Sequence, residues 1–220
     1  MNNQKILFVT CVNDEALYRR CLKHITNLII PKDFSVEFLA IRGAKSITQA
    51  YNSALSNDAK YKIYLHQDTF ILNRHFLLNM LELFQSNPQL GLLGMVGCKK
   101  LPPNGTWWDG KDLVGKVIAY PEQTFTVLRF KEIDTPFEEV EAVDGLIMAT
   151  QYDIPWREEL DGFHFYDASQ SVEFTRRGYL VGVPRQVEPW CLHYHRYTRF
   201  FDPEYFRLQY IFLKSCWGKL

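Results

Sequence analysis

The chain has 220 residues, of which 47% are hydrophobic and 23% are charged, a composition typical of a folded domain. Lys and Arg together number 25, as do Asp and Glu, so the formal net charge is zero. This balance argues against a nucleic-acid-binding protein, because phosphate backbones select for a basic surface. No apolar run reaches the roughly 18 residues of a membrane span, and the first run is too short for a signal peptide.

The cysteine content bears on the cellular location of the protein, and the aromatic content bears on its core and its ligands. Five cysteines are widely spaced without a C-x-x-C pair, which predicts free, mostly buried thiols and a cytoplasmic location. Aromatic residues make up 15% of the chain. Such rings fill protein cores and also line sugar-binding clefts, so the composition leaves both roles open.

The first 90 residues alternate between strand and helix patterns. Apolar runs predict strands over residues 5–10, 35–41 and 61–65, and helical spacing predicts helices over 14–28, 46–56 and 73–84. This order is typical of βαβ units with a parallel sheet. Ligands bind such sheets at the carboxyl ends of the strands, which here are residues 11–13, 41–43 and 66–68.

The second half is mixed. We expect strands over residues 91–97, 114–120, 124–130, 140–149 and 179–183, and helices over 167–177 and 202–216. Without repeats, low-complexity tracts or linkers, the sequence predicts one α/β domain over residues 1–220, with a mostly parallel sheet flanked by helices. Its parts would be a nucleotide-binding half (1–90), an acceptor and catalytic half (91–200) and a C-terminal helix (201–220).

Asp68 ends a buried strand, where a carboxylate is costly unless a cation or hydrogen bonds satisfy it. Mg²⁺ and Mn²⁺ take carboxylate oxygens and bridge diphosphates. A helix-capping Asp is the alternative. Similarly, His193 and His195 share a face of an extended segment. They can bind a metal, orient a phosphate, or simply lie on the surface.

Asp167 follows an aromatic run over residues 163–166. It is either a first-turn helix residue that favours the helix dipole or a general base held at a cleft. Asp144 and Gly145 form a second candidate pair, since a glycine there indicates close approach of the backbone to another group.

Taken in order, these segments resemble the family 2-like glycosyltransferases with a GT-A fold. The similar segments are residues 6–13 and 46–54, the H-Q-D strand 61–68 typical of a small bacterial subgroup, 94–97, 107–108, 115–117, 143–145, 166–167 and 190–193. In this resemblance Tyr166 and Asp167 occupy the place of the family's E-D base motif.

The resemblance implies a metal-dependent, inverting hexosyltransferase that moves a sugar from a nucleotide-sugar donor to a glycan or lipid-linked acceptor in bacterial polysaccharide biosynthesis. Asp68 and His193, with His195 as the alternative, would hold Mn²⁺ or Mg²⁺, and Asp167 would be the base. The implied donor-binding residues are Thr10, Cys11, Asn13, Arg42, Gly43, Asn52, His66 and Gln67, and the implied acceptor-binding residues are Trp107, Trp108, Asp144 and Gly145.

The sequence departs from the family pattern at three places. His66 replaces the first Asp of D-x-D, Tyr166 replaces the Glu before the base, and residues 42–45 lack the acidic residue that reads the nucleotide base. Two other functions stay open: a metal-dependent hydrolase, and a catalytically silent domain that binds carbohydrate or protein. The apolar C-terminal helix can pack on the core, form a homodimer, or contact a membrane peripherally.

Overall fold

The structure is a computed structural model that describes residues 1–121, 124–194 and 201–218. It contains five α-helices and 13 strands within these residues. The helices are α1 Glu15–Ile25, α2 Ile47–Ser53, α3 Phe76–Ser86, α4 Tyr166–Arg176 and α5 Pro203–Ile211. The strands are β1 Asn2–Val12, β2 Ser35–Arg42, β3 Ala59–Leu65, β4 Thr69–Ile71, β5 Leu90–Gly94, β6 Val96–Cys98, β7 Leu113–Ala119, β8 Thr126–Arg129, β9 Phe137–Glu139, β10 Ala142–Val143, β11 Ile147–Thr150, β12 Leu180–Pro184 and β13 Cys191–His193.

A seven-stranded sheet with the order β2-β1-β3-β11-β5-β12-β9 forms the centre. The pairs β1–β2, β1–β3 and β5–β12 are parallel, whereas β11 runs antiparallel to both of its neighbours and β9 antiparallel to β12. The predicted mostly parallel sheet is therefore a mixed sheet. Each antiparallel pair of this sheet includes a strand from the second half of the chain, either β11 or β9.

The first three strands and helices form where the sequence predicts them. β1 is buried on both faces through its middle, with Ile6 and Val9 fully buried, as expected for a central strand covered by helices. The Asp14 carboxylate accepts hydrogen bonds from the amides of Ala16 and Leu17 and so caps α1. Ser46 caps α2 in the same manner.

Two predicted strands are each divided between two sheets. The prediction for residues 140–149 is wrong as a single strand: β10 pairs with β6, while β11 pairs with β3 and β5. The break lies at Asp144, whose carboxylate accepts from the Leu146 amide at 2.8 Å and closes a turn. Residues 91–97 likewise divide into β5 and β6, and a Cβ at Gly94 would overlap Val143 where the two layers cross.

A second sheet has the order β10-β6-β7-β13-β4, with β8 also paired to β7. Sequence periodicity did not predict β4 or β9, because three residues are too few to show alternation. β13 lies parallel to β7 and antiparallel to β4. Since β4 follows β3 after a three-residue turn, the second sheet brings the end of β13 to the end of β3.

The C-terminal helix packs one face on the domain. Tyr205, Leu208 and Phe212 are buried, and the Phe212 ring lies 5.6 Å from that of Phe165. Phe206 and Tyr210 remain exposed on the other face. Of the alternatives for this helix, core packing is therefore observed. None of the helices in the described part of the chain combines the length and apolar character needed to cross a bilayer.

The four cysteines whose side chains are described are free thiols. Cys21, Cys98 and Cys191 are buried, and Cys11 is half-buried. This agrees with the prediction of free, mostly buried thiols.

Candidate active site

Three side chains of types that can ligate a metal ion meet where β3 and β13 end. His66 and Asp68 follow β3, and His193 is the last residue of β13. One ligand atom from each of the three lies within 4.8 Å of the other two, and His193 Nε2 is 3.5 Å from Asp68 Oδ1. In the part of the chain that the structure describes, no other group of three such side chains has this spacing.

Strand pairing brings this cluster together. β13 pairs with β4 so that His193 lies opposite Thr69, and the Tyr194 amide donates to the Asp68 carbonyl at 2.8 Å. The family resemblance predicts Asp68 and His193 as metal ligands but His66 as a residue that binds the nucleotide-sugar donor. In the structure His66 lies in the same cluster as Asp68 and His193. His195, the alternative ligand, lies outside the described residues.

Opposing effects act on the pKa of His193. Burial lowers it, but the hydrogen bond to Asp68 and the charges of Asp68 and Asp144 outweigh burial, so the pKa lies above its ordinary value. The cluster therefore attracts positive charge, whether a proton or a cation.

Tyr166 holds the His66 ring in place through a hydrogen bond. Its hydroxyl makes a short hydrogen bond with His66 Nε2, and burial raises the pKa of Tyr166 well above its ordinary value, so the phenol stays protonated. A Cβ at Gly145 would overlap this hydroxyl. The close approach expected at Gly145 is thus an approach to Tyr166.

Asp167 lies in the first turn of α4, half-buried against the turn between β10 and β11. Its Oδ2 accepts from the Gly145 amide at 3.1 Å, and its Oδ1 accepts from the Ala168 amide at 2.8 Å. Burial and the nearby charge of Asp144 raise the pKa of Asp167 from 3.8 to about 7. Phe165, just before α4, has a left-handed φ of 60°, a strained conformation for a non-glycine residue that is frequent at functional sites.

Gln67 links the ends of β1 and β3. Its Oε1 accepts from the amides of Asn13 and Asp14, both at 2.9 Å, and its side-chain nitrogen contacts the Asn13 side chain. Nearby, burial raises the pKa of Cys11 to about 12, so this thiol is not a nucleophile at neutral pH. The strand ends are therefore held in place by side-chain hydrogen bonds.

These groups open into one cavity of about 490 Å³, a size typical of small-molecule sites. Eleven of the residues predicted from the sequence line it: Cys11, Asn13, Gly43, His66, Gln67, Asp68, Trp107, Trp108, Asp144, Asp167 and His193.

The other four described candidates lie outside the cavity lining. Thr10 is buried in β1, and Gly145 packs against Tyr166. Arg42 forms an exposed ion pair with Glu15. Asn52 accepts from the Trp156 amide at 2.8 Å and donates to its carbonyl at 3.0 Å.

The tryptophans differ in position. Trp107 is buried and Trp108 is 39% exposed, with their rings 5.8 Å apart and nearly perpendicular. Trp156, also considered as a sugar platform, is buried against Tyr51 and Tyr64 in the core.

Sequence reasoning missed the contribution of α5 to the cavity. Tyr205 lines it, and its hydroxyl is 2.6 Å from that of Thr106, another lining residue. The available signal was a tyrosine in the first turn after the helix cap Asp202, whose carboxylate accepts from the Tyr205 amide. The apolar character of the following residues concealed it.

Nearly the whole chain matches one protein-family model. Residues 7–215 match the family model described as a glycosyltransferase-like family. The chain belongs to this glycosyltransferase-like family. The match includes every lining residue named above, so the cavity lies within the part of the chain that matches this family. No curated protein matches the chain.

Solved structures share its GT-A fold at low identity. The mannosyltransferase PcManGT from Pyrobaculum calidifontis, in complex with GDP-Man and Mn²⁺, has a TM-score of 0.53 at 14% identity over 87% of this chain and 57% of that one. For S. aureus TarS with UDP-GlcNAc the values are 0.57, 8%, 89% and 60%. For GalNAc-T7 with UDP, GalNAc and Mn²⁺ they are 0.60, 9%, 96% and 48%. The present glycosyltransferase-like chain thus spans about half to three fifths of these structures.

Proposed function

We propose that the protein is a metal-dependent, inverting glycosyltransferase that moves a sugar from a nucleotide-sugar donor to a hydroxyl of a glycan or lipid-linked acceptor. The observation that carries this proposal is one cavity that holds both the His66–Asp68–His193 cluster and the Asp167 carboxylate. Family membership supports it. The similar structures in complex with GDP-Man or UDP-GlcNAc support a nucleotide-sugar donor.

The three potential metal ligands of the cluster fit a divalent cation. Two imidazoles and one carboxylate, with ligand atoms within 4.8 Å of one another, can face a single ion. Mg²⁺ prefers oxygen ligands, whereas imidazole suits the transition metals, so Mn²⁺ fits this set better. Mn²⁺ is also the ion in two of the similar structures. When bound, such an ion neutralises the charge that develops on a departing nucleoside diphosphate.

Asp167 is the base in this proposal. Its carboxylate takes the proton of the acceptor hydroxyl as that oxygen attacks the anomeric carbon, while the bond from this carbon to the diphosphate oxygen breaks on the opposite face. The anomeric configuration is thereby inverted. With a pKa of about 7, Asp167 is about half ionised at neutral pH and basic enough to accept the proton. The Gly145 and Ala168 amides hold its orientation.

The donor and acceptor lie at different ends of the cavity in this proposal. Cys11, Asn13, Gly43 and Gln67, at the ends of the first three strands, contact the nucleotide. Trp108 and Asp144 contact the acceptor. Thr10, Arg42 and Asn52 act indirectly, by holding β1, the end of β2 and α2 in place. Hexosyl specificity, bacterial origin, polysaccharide biosynthesis and a cytoplasmic location stay predictions.

Product analysis tests the reaction type. We expect Mn²⁺-dependent release of UDP or GDP from at least one member of a nucleotide-sugar panel, and a transferred sugar whose anomeric configuration by NMR is opposite to that of the donor. A retained configuration would contradict the single displacement. Cleavage of simple phosphoesters without nucleotide sugars would instead favour the hydrolase. Nucleotide binding without transfer or donor hydrolysis would favour a catalytically silent domain.

A further inference from the structure

A second cavity, of about 320 Å³, adjoins the first. Its size also falls within the range of small-molecule sites. Trp107, Trp108, Asp144 and His193 line both cavities. A molecule in the second cavity therefore lies beside the residues that face the proposed reaction centre.

Among the residues that the structure describes, the rest of the lining of the second cavity is almost entirely hydrocarbon. Its wall is formed largely by one face of the second sheet, with side chains such as Val117 of β7, Leu128 of β8 and Phe130 just after it. Tyr120 supplies a phenol. Sugar hydroxyls placed there would lose hydrogen bonds to water without replacement, which costs free energy. The lining therefore favours an apolar group over a second sugar.

Trp108 connects the two environments. It lines both cavities and is 39% exposed, whereas Trp107, with which it forms a T-shaped pair, is buried. Amphipathic, rigid rings of this kind suit a boundary between polar and apolar parts of a ligand. Asp144 lies at the same boundary, and its charge raises the pKa of Asp167.

We propose that the second cavity holds the apolar portion of the acceptor, an alkyl or aryl group attached to the sugar or alcohol that receives the new glycosidic bond. This inference rests on the proposed function and names the acceptor class. The apolar group lies against β7 and β8, and the accepting hydroxyl reaches Asp167 past Trp108 and Asp144. The enzyme thereby selects amphiphilic acceptors over free sugars.

Matched alkyl glycosides are the probes. Methyl and octyl glycosides of glucose, galactose, mannose and N-acetylglucosamine are titrated below the micelle concentration by calorimetry, with Mn²⁺ and either UDP or GDP present. Burying one methylene strengthens binding about fourfold. We therefore expect the octyl glycoside of at least one sugar to bind at least about tenfold more tightly than the methyl glycoside, which requires only two buried methylenes.

Two variants and a matched control locate the octyl site. Leu128→Gln makes the wall polar, and Ala119→Leu fills the cavity, so each should remove most of the octyl advantage. Val127→Gln is the control: Val127 is the neighbouring residue on β8, comparably exposed, and does not line the cavity, since successive side chains of a strand point to opposite faces. Melting temperatures without ligand report whether each variant is folded.

The outcomes separate this inference from the function on which it rests. Equal binding of methyl and octyl glycosides to protein that binds UDP or GDP with Mn²⁺ would overturn the inference alone. An octyl advantage that survives in both Leu128→Gln and Ala119→Leu would also overturn it, because the chain would then bind elsewhere. Failure to bind either nucleotide with Mn²⁺ would overturn the proposed function and this inference together.

Discussion

Asp167 is the residue on which the proposed chemistry depends most directly. Replacement by Asn keeps the size and shape of the side chain but exchanges one carboxylate oxygen for an amino group, which removes the base. General-base catalysis contributes about 10²–10⁴-fold to the rate. We therefore expect Asp167→Asn to lower kcat at least about 100-fold while nucleotide and Mn²⁺ affinities stay close to those of wild type. Asp161→Asn is the control, because Asp161 is exposed and pairs with Arg207 outside the cavity.

The pH dependence of the rate gives a second measure of Asp167. Only the ionised carboxylate accepts a proton, so kcat of the wild type should rise with pH and level off above about 7, the pKa of Asp167. Removing the charge of Asp144 with Asp144→Asn should move this rise to lower pH, because that charge raises the pKa of Asp167. A rise at the same pH in both proteins would contradict the assignment of the titrating group to Asp167.

The same carboxyl group links stability to pH. Its pKa is raised in the folded state, so the folded protein binds a proton that the unfolded chain releases between about pH 4 and 7, and stability falls as pH rises through this window. A rise in pKa from 3.8 to about 7 corresponds to a loss of roughly 4 kcal/mol in the free energy of unfolding when the group ionises, and to a smaller loss for a partly exposed group.

Denaturant titrations at pH 5 and pH 8 in metal-free buffer measure this linkage. We expect Asp167→Asn to be more stable relative to wild type at pH 8 than at pH 5, by about 1–2 kcal/mol in the free energy of unfolding. The reason is that Asn does not ionise, so no charge has to be buried at pH 8. A difference that does not change with pH would show that Asp167 is ordinary in the folded state.

At the scale of elements, the turn between β10 and β11 contacts α4 and thereby supports the His66–Asp68–His193 cluster. Gly145→Ala would displace the Tyr166 hydroxyl from His66, and Tyr166→Phe would remove that hydroxyl while keeping the ring. Because outer-shell partners of metal ligands change affinity about 10–100-fold, we expect both variants to weaken Mn²⁺ binding at least about tenfold by calorimetry.

Gly178→Ala is the matched control for the glycine variant. Gly178 follows α4 with a φ of 81° and open space around its Cα, so alanine there strains the backbone without touching the cluster. It should cost about 1 kcal/mol of stability and leave Mn²⁺ affinity unchanged. Equal Mn²⁺ affinity in Gly145→Ala and wild type would refute the support role of Tyr166.

Elements with long apolar patterns were predictable, and the short ones were not. β1, β3 and α1 appear where periodicity and the Asp14 cap predict them. Residues 140–149 look like one strand because their apolar content hides a turn that depends on a single hydrogen bond from Leu146 to Asp144. The assignment of β5 and β6 to different sheets depends on pairing partners distant in sequence, which local pattern does not encode.

At the scale of the whole molecule, the site lies where two sheets meet. The rule that ligands bind at the carboxyl ends of parallel strands predicts Asn13, Gly43 and Asp68 at one edge of the first sheet, and all three line the cavity. The register of β13 against β4 brings His193 to the end of β3, where His66 and Asp68 lie, and local pattern does not encode this pairing. Tyr205 was missed for a similar reason: its contact with Thr106 joins residues 99 positions apart.

A Mn²⁺-dependent thermal shift with nucleotide sugars tests the central claim, that His66, Asp68 and His193 hold a metal for a nucleotide-sugar donor. A ligand at 100 times its Kd stabilises a protein by about 2.7 kcal/mol, which for a chain of this size raises Tm by roughly 5–10 °C. We predict such a shift for at least one of GDP-mannose, UDP-GlcNAc and related donors, only with Mn²⁺, and its loss in Asp68→Ala. No shift with any donor, or an equal shift in Asp68→Ala, would contradict the account.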